Sequence, residues 1–208
     1  EMDVMRPSIL PTLIEAALRN EARSYDSAAL GEVGPVFSGT NPKEQQTVAG
    51  GIRTGAMGKR CWANDKATRS VDLYDAKADA LEILEAIGAP AANAQVKRGA
   101  SDYYHPGRSG VLALGKNVIA QFGELHPAVL EEMDVKFPVI AFEIFLENIP
   151  ASKKKGAEKP MLKLEPLQPV KKDFAFIVDE TLDAADVARA AFAADKKLIT
   201  AADIFDIY

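Results

Sequence analysis

Tyr103 to Pro127, YYHPGRSGVLALGKNVIAQFGELHP, holds two apolar runs, a Gly-Lys-Asn connection and two His-Pro breaks in one short span. Val111 to Leu114 and Val118 to Phe122 are apolar with β-branched members, and Gly115 and Asn117 between them can take the positive φ of a short hairpin loop. The stretch therefore predicts a β-hairpin. Its runs are nearly continuous rather than strictly alternating, which predicts a sheet covered on both faces. The covers must be helices on either side. Directly after the hairpin, Pro127 suits the first position of a helix entered at His126, because its missing N–H would have no intrahelical partner there.

Upstream, Ile9, Leu10, Leu13, Ile14, Ala17 and Leu18 form an i, i+3, i+4 stripe, with Ser8 as N-cap and Pro11 in the first turn. Gly31 to Phe37 predicts a strand with a kink, and Val48 to Gly55 a second strand after the polar link Thr40 to Thr47. Neither glycine cluster is a phosphate loop. A Walker loop needs glycine where Arg53 stands and Ser or Thr where Arg60 stands, so the glycines are read as relieving close backbone approach. Val71 to Tyr74 predicts a short strand, and Asp75 the cap of a helix with Ala80, Leu81, Leu84 and Ile87 inward, ended by Gly88 and Pro90. Asp72, Asp75 and Asp79 raise the question of a metal, but a cap and a solvated face account for them. His105 and His126, without metal spacing around them, are read as turn residues, and Arg108 as a salt-bridge partner.

Downstream, Val139 to Leu146 predicts a strand with Ile140, Phe142, Ile144 and Leu146 on one face and Glu143 on the other. Asn148 to Pro160, with Lys153 to Lys155, two prolines and a glycine, has linker composition. Beyond it, Phe174 to Val178, a helix capped by Asp183 with Val187, Ala190, Ala191 and Ala194 inward, and Leu198 to Tyr208 read as strand, helix, strand. Half of a ferredoxin-like unit leaves an unpaired edge, so the chain is expected to be a piece of something longer.

Composition sets outer limits. The chain has 208 residues, 48% hydrophobic and 26% charged, as ordinary globular domains do. No apolar run approaches the roughly 20 residues that span a bilayer, and the first residues lack the basic and apolar blocks of a secretory signal. Cys61 stands alone, which excludes an internal disulfide and fits a reducing, cytoplasmic setting. A net charge of −5 argues against the whole surface meeting nucleic acid.

In order and spacing, several segments resemble the C-terminal part of the bacterial phenylalanyl-tRNA synthetase β-subunit family, over essentially the whole chain. They are Met5-Arg6-Pro7-Ser8-Ile9-Leu10-Pro11, Gly31 to Phe37, Ala49 to Gly55, Val71-Asp72-Leu73-Tyr74-Asp75 with Lys77, His105 to Ser109, Gly123 to Pro127, and Lys172 to Phe176. The resemblance implies an α+β fold: a class II synthetase-like antiparallel sheet with flanking helices over residues 1–150. A linker over 151–160 and the truncated first part of a ferredoxin-like anticodon-binding domain over 161–208 would follow. It implies an α-subunit partner in an α2β2 assembly and tRNA(Phe) as substrate, with ATP and Mg2+ used by the complete enzyme and no membrane contact. Phenylalanine activation would belong to the α subunit, and editing and the β-subunit magnesium site to earlier domains.

The residue chemistry agrees with a non-catalytic core. Adenylate formation needs cations on the ATP phosphates. Class II sites supply arginines for this in two motifs, and here Gly31 to Phe37 has no arginine before Glu32 and no later glycine-rich strand leads to a helical arginine. The expectation is therefore a scaffold with no catalytic, cofactor or metal residue of its own. The alternative is a tRNA-binding module acting through the last unit, where Lys171, Lys172, Phe174 and Phe176 offer charge and stacking faces.

Overall fold

The computed structural model describes residues 4–58, 62, 69–151, 161, 164 and 166–207. Cys61, Arg60 and Lys153 to Lys155 lie outside them. The chain divides into two compact units, Glu1–Lys155 and Gly156–Tyr208.

The first unit is a six-stranded antiparallel sheet with helices on both faces. Its strands are β1 (Ala28–Phe37), β2 (Gln45–Thr54), β3 (Gln95–Lys97), β4 (Tyr104–Leu114), β5 (Asn117–Leu125) and β6 (Val139–Phe145), in the order β1-β2-β6-β5-β4-β3. The hairpin forms as expected between β4 and β5. Leu114 pairs with Asn117, so the loop is Gly115-Lys116. Gly115 takes φ +64°, whereas Asn117 belongs to the strand and needs no left-handed backbone. β1 pairs with β2 without a register break from Ala28 to Phe37, so the expected kink is not in the ladder.

Helix α1 (Leu10–Glu21) covers one face through Leu10, Leu13, Ile14 and Ala17, packed with Val48, Ile52, Val139 and Ala141. The N-cap position falls on Ile9, which already has helical backbone, and not on Ser8 as expected; Ser8 stands one residue before it, where its hydroxyl accepts from the N–H of Leu10, the first residue of the helix, at 3.1 Å. Helix α2 (Leu73–Ala86) covers the other face, with Ala76, Ala80 and Leu84 against Phe122, Ile140, Phe142 and Ile144. The nearly unbroken apolar runs of β5 and β6 thus have the cause inferred for them. Each side of these strands meets a separate cluster of apolar side chains.

The entry to α2 differs from expectation. Val71 to Tyr74 is not a strand; Asp72 is the N-cap, accepting from Tyr74 N–H and Asp75 N–H, and Asp75 returns a bond to Asp72 N–H. This reciprocal capping box starts the helix three residues earlier than a cap at Asp75 would. Asp75 and Asp79 are not a solvated face either. Arg69 grips Asp75 at 2.5 and 2.7 Å, and Arg53 on β2 grips Asp79 at 2.6 and 2.7 Å. The arginine beside Asp75 holds its carboxyl below the usual range.

Pro127 opens α3 (Pro127–Glu132), and His126 Nδ1 caps it by accepting from Ala128 N–H at 3.1 Å. His105 Nδ1 accepts from Gly107 N–H in the same way, and Arg108 pairs with Glu124 at 3.2 Å. His126 thus stands at the break between β5 and α3, as read from the sequence, whereas His105 lies within β4 rather than in a turn, in the stretch where the β4–β5 register shifts between Tyr104 and Ser109.

In the second unit the described residues contain one helix, α4 (Ala184–Ala194), with Asp183 at its N-cap position. The flanking segments expected as strands carry no ladder among the described residues, and Ala190, Ala191 and Ala194 face solvent rather than a sheet. Without hydrogen-bonded neighbours, neither segment can hold strand form. No helix among the described residues is long and apolar enough to cross a membrane.

Candidate functional site

The α1 face of the sheet carries a row of residues in register: Glu32 on β1, Gly50 on β2, Glu143 on β6, Gln121 on β5, Val111 on β4 and Lys97 on β3. A carboxylate and an amide therefore sit side by side at the middle of the sheet. Glu143 is 2% exposed and Gln121 3%. A buried carboxylate is tolerable only if its oxygens are bonded, and both are.

Glu143 Oε1 accepts from the Ser8 hydroxyl at 2.6 Å, and Oε2 accepts from Tyr103 Oη at 2.8 Å, Gln121 Nε2 at 2.8 Å and Tyr104 Oη at 3.4 Å. Gln121 Nε2 also donates to Tyr103 Oη at 2.6 Å, while its Oε1 accepts from Ser101 N–H at 3.1 Å and Ser101 Oγ at 2.9 Å. Each partner has a structural reason to be there. Ser8 is held by its bond from Leu10 N–H, Tyr104 begins β4, and Tyr103 O accepts from His126 N–H. Ile9 closes the roof by lying over Gly50. At one end of the row, Arg6 meets Glu32 at 2.5 Å and donates to Pro35 O at 3.0 Å, pinning the opening segment to β1.

The electrostatics of the centre are those of one acid among neutral donors. Burial, then the nearby Glu143 charge, pushes both tyrosine hydroxyls well above the ordinary phenol value of 10.0. The network is thus a bonded acceptor site, with one donor on Oε1 and three converging on Oε2, the Tyr104 hydroxyl being the longest of them at 3.4 Å. Because the folded values are raised, the stability these phenols contribute is complete below pH 10.0 and falls as pH rises beyond it, where the unfolded chain can ionise. Alkaline absorbance titration should show Tyr103 and Tyr104 ionising only together with unfolding. Two extra phenolates appearing while the near-ultraviolet circular dichroism stays native would contradict this placement.

Reading the sequence placed Glu143 on the correct face but did not single it out. The signal was present: Glu143 and Gln121 are the lone polar residues inside runs whose other members are apolar on both faces. Lys171, Lys172, Phe174 and Phe176 lie together in the second unit, all exposed. Phe174 and Phe176 are 71% and 66% exposed, their rings stacked at 6.3 Å.

The fold and sequence have clear relatives. The phenylalanine–tRNA ligase β subunit of Bartonella quintana (strain Toulouse) is 49% identical over 214 residues, covering 100% of this chain and 26% of the relative. That of Rhodospirillum rubrum is 49% identical over 209 residues with the same coverage. The chain therefore spans about a quarter of the length of these curated relatives. Pyrrolysyl-tRNA synthetase from Desulfitobacterium hafniense superposes with a TM-score of 0.50 at 16% identity, over 68% of this chain and 47% of that one, a likeness of fold. The family described as the phenylalanyl tRNA synthetase beta chain CLM domain matches residues 1–146, through the opening segment, both faces of the sheet and β6, and the chain belongs to that family.

Proposed function

We propose that residues 1–150 are the non-catalytic core of a phenylalanine–tRNA ligase β subunit, a scaffold that assembles with the α subunit and helps to position tRNA(Phe). In this reading 151–160 is a linker, and 161–208 begins a ferredoxin-like anticodon-binding domain. The complete enzyme works in the cytoplasm as an α2β2 assembly and uses ATP and Mg2+. The observation that supports it is the centre of the sheet, where Glu143 lies sealed under Ser8 and Ile9 with neutral donors around it. Activation of an amino acid places a triphosphate against fixed cations; a buried anion tied to four internal donors is the opposite arrangement and holds the strands together instead. Deleting residues 1–150 from the complete subunit should abolish co-purification with the α subunit and tRNA charging. Normal assembly and charging by the deleted form would sink the reading.

A second reading, a tRNA-binding module in the last unit, is favoured by the exposure and stacking of Phe174 and Phe176 beside Lys171 and Lys172. Aromatic faces next to cations suit unpaired bases and phosphates. The double charge reversal Lys171→Glu/Lys172→Glu should weaken tRNA binding and flatten its salt dependence. Unchanged affinity at both low and high salt would remove these residues from the interface.

A further inference from the structure

Helix α2 does not cover its face of the sheet evenly. Ala76, Ala80 and Leu84 pack on β5 and β6, and a cavity of about 210 Å³ opens where Asp79, Glu82 and Ile83 of the helix face β2 and the edge strand β1. The sequence explains the opening. Gly31 and Gly51 are register partners on β1 and β2, and Phe142 on β6 continues their row. A Cβ on Gly51 would come within 2.8 Å of the Phe142 ring and 2.9 Å of the Leu30 carbonyl oxygen, so only glycine admits the ring there. At Gly31 nothing stands closer to an added Cβ than the Gly50 oxygen at 3.4 Å. The floor is therefore bare backbone beside an aromatic ring.

Charge and size say what the cavity suits. Arg53 and Asp79 in its wall satisfy one another, through bonds of 2.6 and 2.7 Å that take both carboxylate oxygens. Glu82, exposed at the rim one turn further along α2, has no hydrogen bond or ion pair among the described residues. The charge left over is negative, and it complements a cation. An anion would meet Glu82 and find Arg53 already engaged. The volume lies below the roughly 300 Å³ at which pockets for drug-sized ligands begin. A nucleotide is too large for it, whereas a compact apolar group is not.

We propose that this corner binds a small organic cation, whose ammonium group meets the Glu82 carboxylate while its apolar body lies over Gly31 against Ile83 and the Phe142 ring. Phe142 is already held in place, 7% exposed, so binding need not order it. The site is on the face opposite Glu143 and can fill without opening that network. It stands independently of the scaffold and tRNA readings.

The probe is cyclohexylmethylammonium, with cyclohexanecarboxylate as a counterpart of similar shape and opposite charge. Titrated into the isotope-labelled 208-residue chain, the ammonium should shift the backbone amide signals of Gly31, Gly51 and Ile83 saturably, with a midpoint of about 1 mM, as so small a ligand allows. The carboxylate should leave those signals in place. Glu82→Gln should raise the midpoint about threefold to fivefold, the share of an exposed charge pair. Gly31→Val, whose side chain fills the cavity, should abolish saturable binding, and its Tm reports separately that the fold is intact. Were that variant to unfold, Glu82→Gln alone would decide. Ammonium shifts that never saturate, equal shifts with the carboxylate, or a midpoint unmoved by Glu82→Gln each overturn the proposal.

Discussion

Glu143→Ala is expected to destabilise the fold by about 3–5 kcal/mol, the range for removing a buried group that satisfies several partners and leaving a cavity behind. Four donors lose their acceptor at once: the hydroxyls of Ser8, Tyr103 and Tyr104, and the Gln121 amide. Tyr104 is 2% exposed and Ser8 8%, so water cannot readily replace the carboxylate. The loss spreads through the unit because these residues belong to the lead-in of α1, the start of β4, and β5. Urea unfolding should show the midpoint dropping with little change in slope. Glu143→Gln keeps the shape but turns one acceptor oxygen into an NH2 group facing donors, and should cost about 1–3 kcal/mol. The exposed Glu131→Ala should change stability by no more than about 0.5 kcal/mol. If Glu143→Ala matched Glu131→Ala, the network would not be what joins the opening segment to the sheet.

The same residues show what could be read in advance and what could not. The hairpin of β4 and β5 and the helix after it were legible because turn chemistry and the fixed φ of proline act within a few residues: Gly115 supplies the left-handed turn, and Pro127 follows its cap. The two covered faces were legible from the unbroken apolar runs. What lay beyond reach was pairing between distant segments. Asp79 reads as a surface acid on its helix until Arg53, 26 positions earlier, is placed beside it by the sheet. Glu143 reads as a solvent-facing glutamate until Ser8, 135 positions earlier, closes over it. The start of α2 was misjudged for a local reason: either Asp72 or Asp75 could cap a helix, and the choice depends on a reciprocal bond between them that spacing alone does not select. The strands expected around α4 failed because strand form is a property of neighbours and not of the segment itself. The candidate site was therefore half legible. Its side of the strand followed from period two, but its burial and closure did not.

Gly50→Val is the second substitution expected to be severe, at about 3 kcal/mol, the upper end of overpacking costs. Gly50 stands between Glu32 and Glu143 in the row across the α1 face. A Cβ there would lie 2.8 Å from the Phe142 carbonyl oxygen and 2.8 Å from the Ile9 Cδ1 atom. The Ile9 methyl can rotate away, but the carbonyl belongs to the backbone of β6 and can move only if the strand does. Displacing β6 displaces Glu143, so the substitution should also disturb the polar network, and its cost should not add simply to that of Glu143→Ala in the double variant. Gly31 provides the control on the opposite face. Its Cβ would meet nothing nearer than the Gly50 oxygen at 3.4 Å and would point into a cavity of about 210 Å³ lined in part by Gly51, Ile83 and Phe142. Gly31→Val should therefore stabilise by about 0.5–1 kcal/mol, through a stiffer unfolded chain and added apolar contact. Thermal unfolding of the two variants side by side decides the matter: Tm should fall for Gly50→Val and rise for Gly31→Val. Equal and small shifts would mean that the α1 face has slack at its centre, and a centre with slack could not hold Glu143 in the sealed position that supports the scaffold role.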